Sequence, residues 1–319
     1  MQTLTMRAIA IATAIATGLV AGLLAPGSVA QAEERIVRLG VPPWQGAQIK
    51  SAVVTELLER LGWTVEWTEA AAPLIFQELA NGRLDANLSA WVPGQDTAFQ
   101  PLVDAGRIAV LGENLDGALT GLATPAATAP GSLTTLTHID RFRDAFDGRL
   151  YCIEPGSGGH TVAKAAIDQD LYGLGDWTLV SSSTQGMLAQ VGRAIKRGEP
   201  MLFCGWSPHW MNVAFELRYL DDPKQHWGGR PGGTRVLTLA RTGLAEDAPD
   251  LATLLSRIRV DALVQSEWIH QYARLERDRD AVAREWLDNN SELVSTWLDG
   301  LKGADGNPAI TRIFAAEDH

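Results

Sequence analysis

Cysteine is nearly missing from this chain: 319 residues contain two, Cys152 and Cys204. Neither stands at a spacing that ligates zinc, so no metal site is expected. Each ends or lies within a short apolar run (149–153 and 201–204), and the runs read as neighbouring strands. A disulfide formed in an oxidising compartment and a pair of buried free thiols are both open readings. Positive charge is also scarce. Lys and Arg number 27 against 38 Asp and Glu, for a net charge of −11. That balance argues against nucleic acid and against anionic membrane surfaces as partners. Catalytic signatures are missing as well: no Gly-x-Ser-x-Gly elbow, no His-Glu-x-x-His, no acid pair with supporting context, and six scattered histidines. An enzyme assembled from distant residues is the rival class, and turnover of a bound compound would reveal it. The glycine-rich stretch Pro155-Gly156-Ser157-Gly158-Gly159-His160 is neither a phosphate loop nor a dinucleotide fingerprint, so no cofactor is expected.

After the first residues no stretch is long and apolar enough to span a bilayer. The N-terminus itself has the form of an export signal. Arg7 supplies the positive end, residues 8–24 are apolar, Pro26-Gly27 breaks the run, and Ala30-Gln31-Ala32 fits the small-x-small cleavage rule. The sequence therefore predicts a signal peptide over residues 1–32 and a periplasmic protein. Its removal takes Arg7 with it, and the net charge moves from −11 to −12. The alternative, a membrane anchor, fits poorly with a run built from Ala, Thr and Gly. No cysteine near the cleavage site offers a lipid attachment point.

Beyond the signal, strand and helix patterns alternate. Residues 36–41 read as a strand. Residues 46–61 read as a helix, with Val53, Val54, Leu57, Leu58 and Leu61 on one face and Gly62 as its stop. Strands are expected at 64–68, 84–91, 108–111 and 119–124, and a short helix at 73–79. Residues 124–130 (Thr-Pro-Ala-Ala-Thr-Ala-Pro) resemble a linker. A second α/β pattern begins beyond it: helices at 139–146, 159–168 and 185–197, and strands at 149–153, 178–180 and 200–204. Residues 221–233 are rich in Pro and Gly, 236–240 read as a strand, and from Pro249 the pattern is helical. Alternation of this kind predicts mainly parallel sheets flanked by helices, in two units with a cleft between them. Ligands in open α/β sheets sit beyond the carboxyl ends of strands, so residues directly after strands carry the functional reading.

Three tryptophans hold such positions. Trp44 follows Pro42-Pro43, Trp91 precedes Val92-Pro93, and Trp206 precedes Ser207-Pro208. Proline fixes φ and stiffens each turn, a sound mount for an aromatic wall. Eleven tryptophans against four tyrosines and seven phenylalanines is an unusual balance. A cage of indole faces suits one chemistry, a methylated onium head that donates no strong hydrogen bond; each contact is worth about 0.5–2 kcal/mol. Trp63, Trp67, Trp177, Trp268, Trp286 and Trp297 read as packing. For the other end of such a ligand, two helix starts offer free N–H groups to a carboxylate: Gly46-Ala47 after Trp44, and Ser157-Gly158. Ser157, His160 and His209 are further candidate ligand contacts. Glu154 and Asp116 are candidate anionic complements to a cation.

The stretches Gly40-Val41-Pro42-Pro43-Trp44, Asp85-Ala86-Asn87-Leu88-Ser89-Ala90-Trp91-Val92-Pro93, Ile153-Glu154-Pro155-Gly156-Ser157, Gly205-Trp206-Ser207-Pro208-His209-Trp210 and Tyr219-Leu220-Asp221-Asp222-Pro223-Lys224 resemble the OpuAC-type substrate-binding proteins of glycine betaine, choline and carnitine ABC transporters. The resemblance runs from Arg35 to about Trp297. It implies a two-lobed periplasmic binding protein fold (type II-like) that closes over its ligand, with lobe 1 formed by 33–124 and 235–319 and lobe 2 by 125–234. It implies Trp44, Trp91 and Trp206 as cage walls and Ser157 as a polar contact. It also implies a small methylated ligand, a membrane permease as partner, and a monomer. Choline binders resembling this chain carry an Asp two residues after the first cage Trp. Here that position is Gly46, which favours betaine-like ligands, including dimethylsulfoniopropionate, over choline. Trimethylamine N-oxide and carnitine are alternatives, as is a sensor that binds the same ligand. Relatives with a further aromatic near residues 117–119 have no counterpart here, so a fourth wall is undefined.

Overall fold

The computed structural model describes residues 35–228 and 233–314. The export signal expected over residues 1–32 lies outside the described residues. The chain first lays down β1 (Ile36–Val41), α1 (Gln45–Arg60), β2 (Thr64–Glu69), α2 (Ala72–Ala80), β3 (Ala86–Val92), α3 (Asp96–Asp104), β4 (Ile108–Glu113) and β5 (Leu115–Asp116). A second series comprises β6 (Leu119–Pro125), β7 (Arg149–Cys152), α4 (Gly158–Asp168), β8 (Thr178–Ser181), α5 (Thr184–Arg197), β9 (Leu202–Ser207), α6 (Met211–Ala214) and β10 (Leu217–Tyr219). The return is made by β11 (Arg235–Arg241), α7 (Leu244–Asp247), α8 (Pro249–Arg257), β12 (Val260–Asp261), α9 (Ala262–Ile269), α10 (Arg279–Asn289), α11 (Ser291–Leu298) and α12 (Ala309–Phe314).

Two five-stranded sheets result, ordered β2-β1-β3-β11-β4 and β10-β6-β9-β7-β8. In the first, β11 runs against both neighbours and the other four strands share one direction. In the second, β6 is the opposed strand, pairing antiparallel with β9 and β10. The mostly parallel α/β architecture read from the sequence is what these residues build. Residues 119–124, expected as a strand, form β6 and belong to the second sheet, so the chain passes from one sheet to the other between Asp116 and Leu119.

Each sheet has its own core. α1 presents Val53, Val54, Leu57 and Leu58 to one face of the first sheet and stops where Gly62 takes φ +86°, a conformation glycine adopts without steric cost. The opposite face is covered by α2 and α3. α3 was not anticipated, because Pro101 sits inside it and proline is costly in helix interiors. Burial of Phe99 and Leu102 outweighs that cost, with Phe99 edge-on to Phe76 at 5.5 Å. The helix expected at 139–146 is instead two 3-10 turns, Leu136–Phe142 and Asp144–Phe146. Leu136, Ile139 and Phe142 recur every third residue, the 3-10 repeat.

Cys152 at the end of β7 and Cys204 in β9 are joined by a disulfide, with Cα atoms 5.0 Å apart. Among the described residues no cysteine is free, no cluster of metal-ligating side chains occurs, and no helix is long and apolar enough to cross a membrane.

Candidate functional site

The ends of β1, β3 and β9 and the start of β6 border one cavity between the two sheets. At the end of β1 the Trp44 backbone N–H donates back to the Pro42 carbonyl at 2.7 Å. That turn leaves Trp44 extended at the head of α1, with no side chain capping the helix. Trp91, expected at the end of its strand, and Trp206, expected just beyond its strand, both lie on strands that run one residue further, to Val92 and Ser207. β3 continues because Val92 pairs with Arg235, and β9 because Ser207 pairs with Leu119. All three indoles are half-buried and line the cavity.

A fourth indole joins them. Trp227 is 1% exposed and lines the cavity. Its backbone N–H donates to Asp222 Oδ2 at 2.7 Å, and its carbonyl accepts from the Thr120 hydroxyl. The Pro- and Gly-rich stretch thus adds a residue to the lining that sits at no strand end.

The segments from the two sheets touch around this cavity. The Trp44 indole N–H donates to Glu154 Oε1, and the Trp210 indole N–H donates to Gln45 Oε1 at 3.2 Å. Gly94 and Gly158 meet backbone to backbone; a Cβ built on Gly94 would lie 2.6 Å from the Gly158 Cα.

The polar lining is rich in groups without partners. The amides of Gln45, Gly46 and Ala47 have no acceptor among the described residues, and neither do those of Gly158 and Gly159. These are first-turn helix donors, suited to an anion. Of nine buried side-chain polar atoms without a partner among the described residues, four belong to the lining: Thr184 Oγ1, His209 Nε2, Trp227 Nε1 and Gln265 Oε1. An unmade buried hydrogen bond costs about 1–3 kcal/mol, and four such atoms gather at this one cavity. His209 Nδ1 accepts from the Met211 N–H at 3.2 Å, which leaves the ring proton on Nε2. Burial pulls its pKa down to about 3, so the ring is neutral. Lys50 also lines the cavity, 2% exposed, and burial lowers its pKa to about 7.

Of the residues singled out from sequence, Trp44, Gly46, Ala47, Trp91, Ser157, Gly158, Trp206 and His209 come together at this cavity. Ser157 spends its hydroxyl locally, donating to the Glu154 carbonyl at 2.8 Å and accepting from the His160 N–H at 3.2 Å as the cap of α4. Its part in the lining is therefore to shape the helix start. Glu154 is not in the lining and acts on Trp44. His160 is outside the lining too, and burial beside Lys164 lowers its pKa. Asp116 pairs with Arg259 at the surface and is no complement to a ligand here. Sequence reasoning missed Lys50, Thr120, Thr184, Trp227 and Gln265. Of these Lys50 had a signal: it stands on the same helical stripe as Val53, Val54 and Leu57, where the pattern calls for an apolar residue.

Residues 35–289 match the family model described as the substrate binding domain of ABC-type glycine betaine transport systems. The chain is 33% identical over 179 residues to the glycine betaine/carnitine transport binding protein GbuC of Listeria monocytogenes, a match covering 54% of this chain and 58% of that protein. The chain thus spans little more than half the length of that relative. Its fold is similar to an ABC-transporter choline binding protein in complex with choline, with TM-score 0.83 and 31% identity over 88% of this chain and 97% of that one. It is also similar to the lactococcal OpuAC in its closed-liganded conformation with glycine betaine, with TM-score 0.75 and 26% identity over 83% and 99% of the two chains.

Proposed function

Because this chain belongs to the family of substrate-binding domains of ABC-type glycine betaine transport systems, a family of binding proteins and not of enzymes, we propose that it captures a betaine-like methylated solute in a tryptophan cage and delivers it to a membrane permease. The observation that carries this is the convergence of Trp44, Trp91, Trp206 and Trp227 on one cavity. Indole faces attract a diffuse cation by their quadrupole, at about 0.5–2 kcal/mol each. Several such faces with methyl burial support micromolar binding, about −8 kcal/mol. The unpartnered amides at the starts of α1 and α4 and the Nε2–H of His209 are donors for the ligand's other end.

Position 46 carries no carboxylate, which weighs toward a zwitterion such as glycine betaine or dimethylsulfoniopropionate and against choline. A Cβ on Gly46 would lie 3.2 Å from Ile269 Cδ1 and 3.3 Å from Gln265 Nε2, the ends of two side chains that must give slightly to admit it. In this reading the chain forms two lobes, one on each sheet, with the boundary near residues 117–118 and again near 234. The lobes close over the ligand, and the closed form docks on the permease. Binding proteins of ABC importers work outside the cytoplasm, and a periplasmic monomer fits this reading. Titration calorimetry against glycine betaine, dimethylsulfoniopropionate, choline, carnitine and trimethylamine N-oxide tests it. Micromolar or tighter binding of a zwitterion is expected; silence across all five would reduce the tryptophans to packing.

A further inference from the structure

A buried lysine ordinarily has a carboxylate beside it. Lys50 has none: among the described residues it makes no ion pair, and its one hydrogen bond runs from Nζ to Asn114 Oδ1 at 2.6 Å. Asn114 is held in place for that contact. Its side-chain amide donates to the Leu88 carbonyl at 3.0 Å and to Thr238 Oγ1 at 2.9 Å, which turns its oxygen to the lysine. An ammonium has three donors, and Asn114 takes one. Gly46 and Ala47, one turn earlier on the same face of α1, line the cavity with Lys50, and their amides are also without acceptors. Gln45 apart, the first two turns of this helix thus gather donors and one positive charge, with nothing negative to meet them. A ligand that is only a cation would add a second positive charge to the same cavity.

We propose that Lys50, together with the first-turn amides of α1, receives the anionic group of the ligand, and that this residue makes the cavity select zwitterionic methylated solutes over simple cations. The proposal rests on the cage reading above.

Proton linkage is the consequence. Burial holds Lys50 near pH 7 in the free protein, and an anion beside it raises that value. Lys50 is therefore charged and ready below pH 7. Above pH 7 the free protein must take up a proton to bind a carboxylate, so affinity falls about tenfold per pH unit until the pKa of the complex is reached. The other charged groups on the elements around it are engaged or distant. Glu56, Glu59 and Arg60 lie nearly two turns or more along α1, Arg38 of β1 pairs with Asp85, and Glu69 of β2 accepts from Gln48. On α10, Arg279 pairs with Asp280, Arg284 with Glu56, Glu285 with Arg277 and Asp288 with Arg60, and Glu154, facing the head of α1, accepts from Trp44. On β11, Arg241 pairs with Asp85 and Asp247, and Arg235 is exposed. Glu113 and Asp116 face Arg259, and Glu267 of α9 accepts from Gln271. β3 carries no charge, and His209 stays neutral across this range.

The test is calorimetry of the full chain and of Lys50→Met with glycine betaine, choline and tetramethylammonium, at several pH values between 6 and 9 and in buffers of different ionisation enthalpy. For the unmodified chain at pH 8, binding of glycine betaine is expected to draw a proton onto the protein, and binding of choline none. Lys50→Met is expected to bind glycine betaine at least about tenfold more weakly, a loss typical of a charge-assisted bond, to lose the pH dependence, and to bind choline as well or better. Absence of proton uptake by the unmodified chain, or wild-type glycine betaine affinity in Lys50→Met, overturns the proposal. Should the variant not fold, proton uptake by the unmodified chain decides. Binding of choline and tetramethylammonium without glycine betaine would sink the Lys50 assignment and leave the cage standing; silence to all three would sink both.

Discussion

Trp91 and Trp206 are the residues on which the proposed cage can be tested one wall at a time. Both are half-buried on sheet ends whose backbone is fixed by strand pairing, so truncation removes an aromatic face without unmaking the strand. Trp91→Ala and Trp206→Ala are each expected to weaken a methylated ligand by about 1–2 kcal/mol, or roughly five- to thirtyfold, with unchanged circular dichroism. Normal binding by both would dismiss the cage. Gly46→Asp probes the other end. An aspartate there would stand four residues before Lys50, within pairing distance on one helix face. It would answer the lysine internally and repel a carboxylate. Glycine betaine affinity is expected to fall by tenfold or more while choline affinity rises, a reversal that competition binding reads directly. Three of the indoles that line the cavity were legible in the sequence because each stands near a proline at a strand end. Trp227 was not, because its place is set by contacts with distant residues, Thr120 among them, and not by its neighbours in the chain. Lys50 was legible in principle, as a charge on an apolar stripe, and only its burial shows that the break in pattern matters.

At the scale of elements, the disulfide ties β7 to β9 directly beneath the cavity. Cys204 is part of the lining, and Gly159 of α4 rests 3.7 Å (as a built Cβ) from Cys152 Sγ. The link closes a loop with a sequence separation of 52, for which chain entropy predicts about 4 kcal/mol of stabilisation. Replacing both cysteines by serine is expected to lower the unfolding free energy by about 2–4 kcal/mol, measured by denaturant titration, and to weaken ligand binding less than either tryptophan variant does. A drop no larger than that of a surface substitution would mean the pair is incidental. The elements themselves were mostly visible: the strands and long helices follow from periodicity, with ends displaced by a residue or two. The failures have physical causes. Pro101 hid α3, which is held by burial of Phe99 and Leu102, with Phe99 against Phe76. The sheet that residues 119–124 join was not legible locally, because strand order is decided by pairing with β9 and β10, which lie far along the chain.

The whole molecule brings two glycines, 64 positions apart, into backbone contact. Nothing larger than hydrogen fits at Gly94, because the atoms it would strike belong to the Gly158 backbone and cannot rotate away. Gly94→Ala is therefore expected to hold the two sheets apart. Ligand affinity should drop by an order of magnitude or more, since a ligand gripped from both sides stabilises closure only through its preference for the closed form. Small-angle scattering should show the ligand-saturated variant more extended than the unmodified protein, with an unchanged melting temperature in the absence of ligand. Equal scattering profiles would show that closure does not pass through this contact.

The hydrogen bond from the Trp44 indole to Glu154 joins a chromophore on one side of the cavity to a charge on the other. Separating the two sides replaces that carboxylate with water at the indole nitrogen and changes the field the ring feels. If the proposed closure occurs, the protein carries its own optical gauge of it: the emission of one native side chain, isolated as the difference between the unmodified chain and Trp44→Phe, would follow ligand addition without any attached dye.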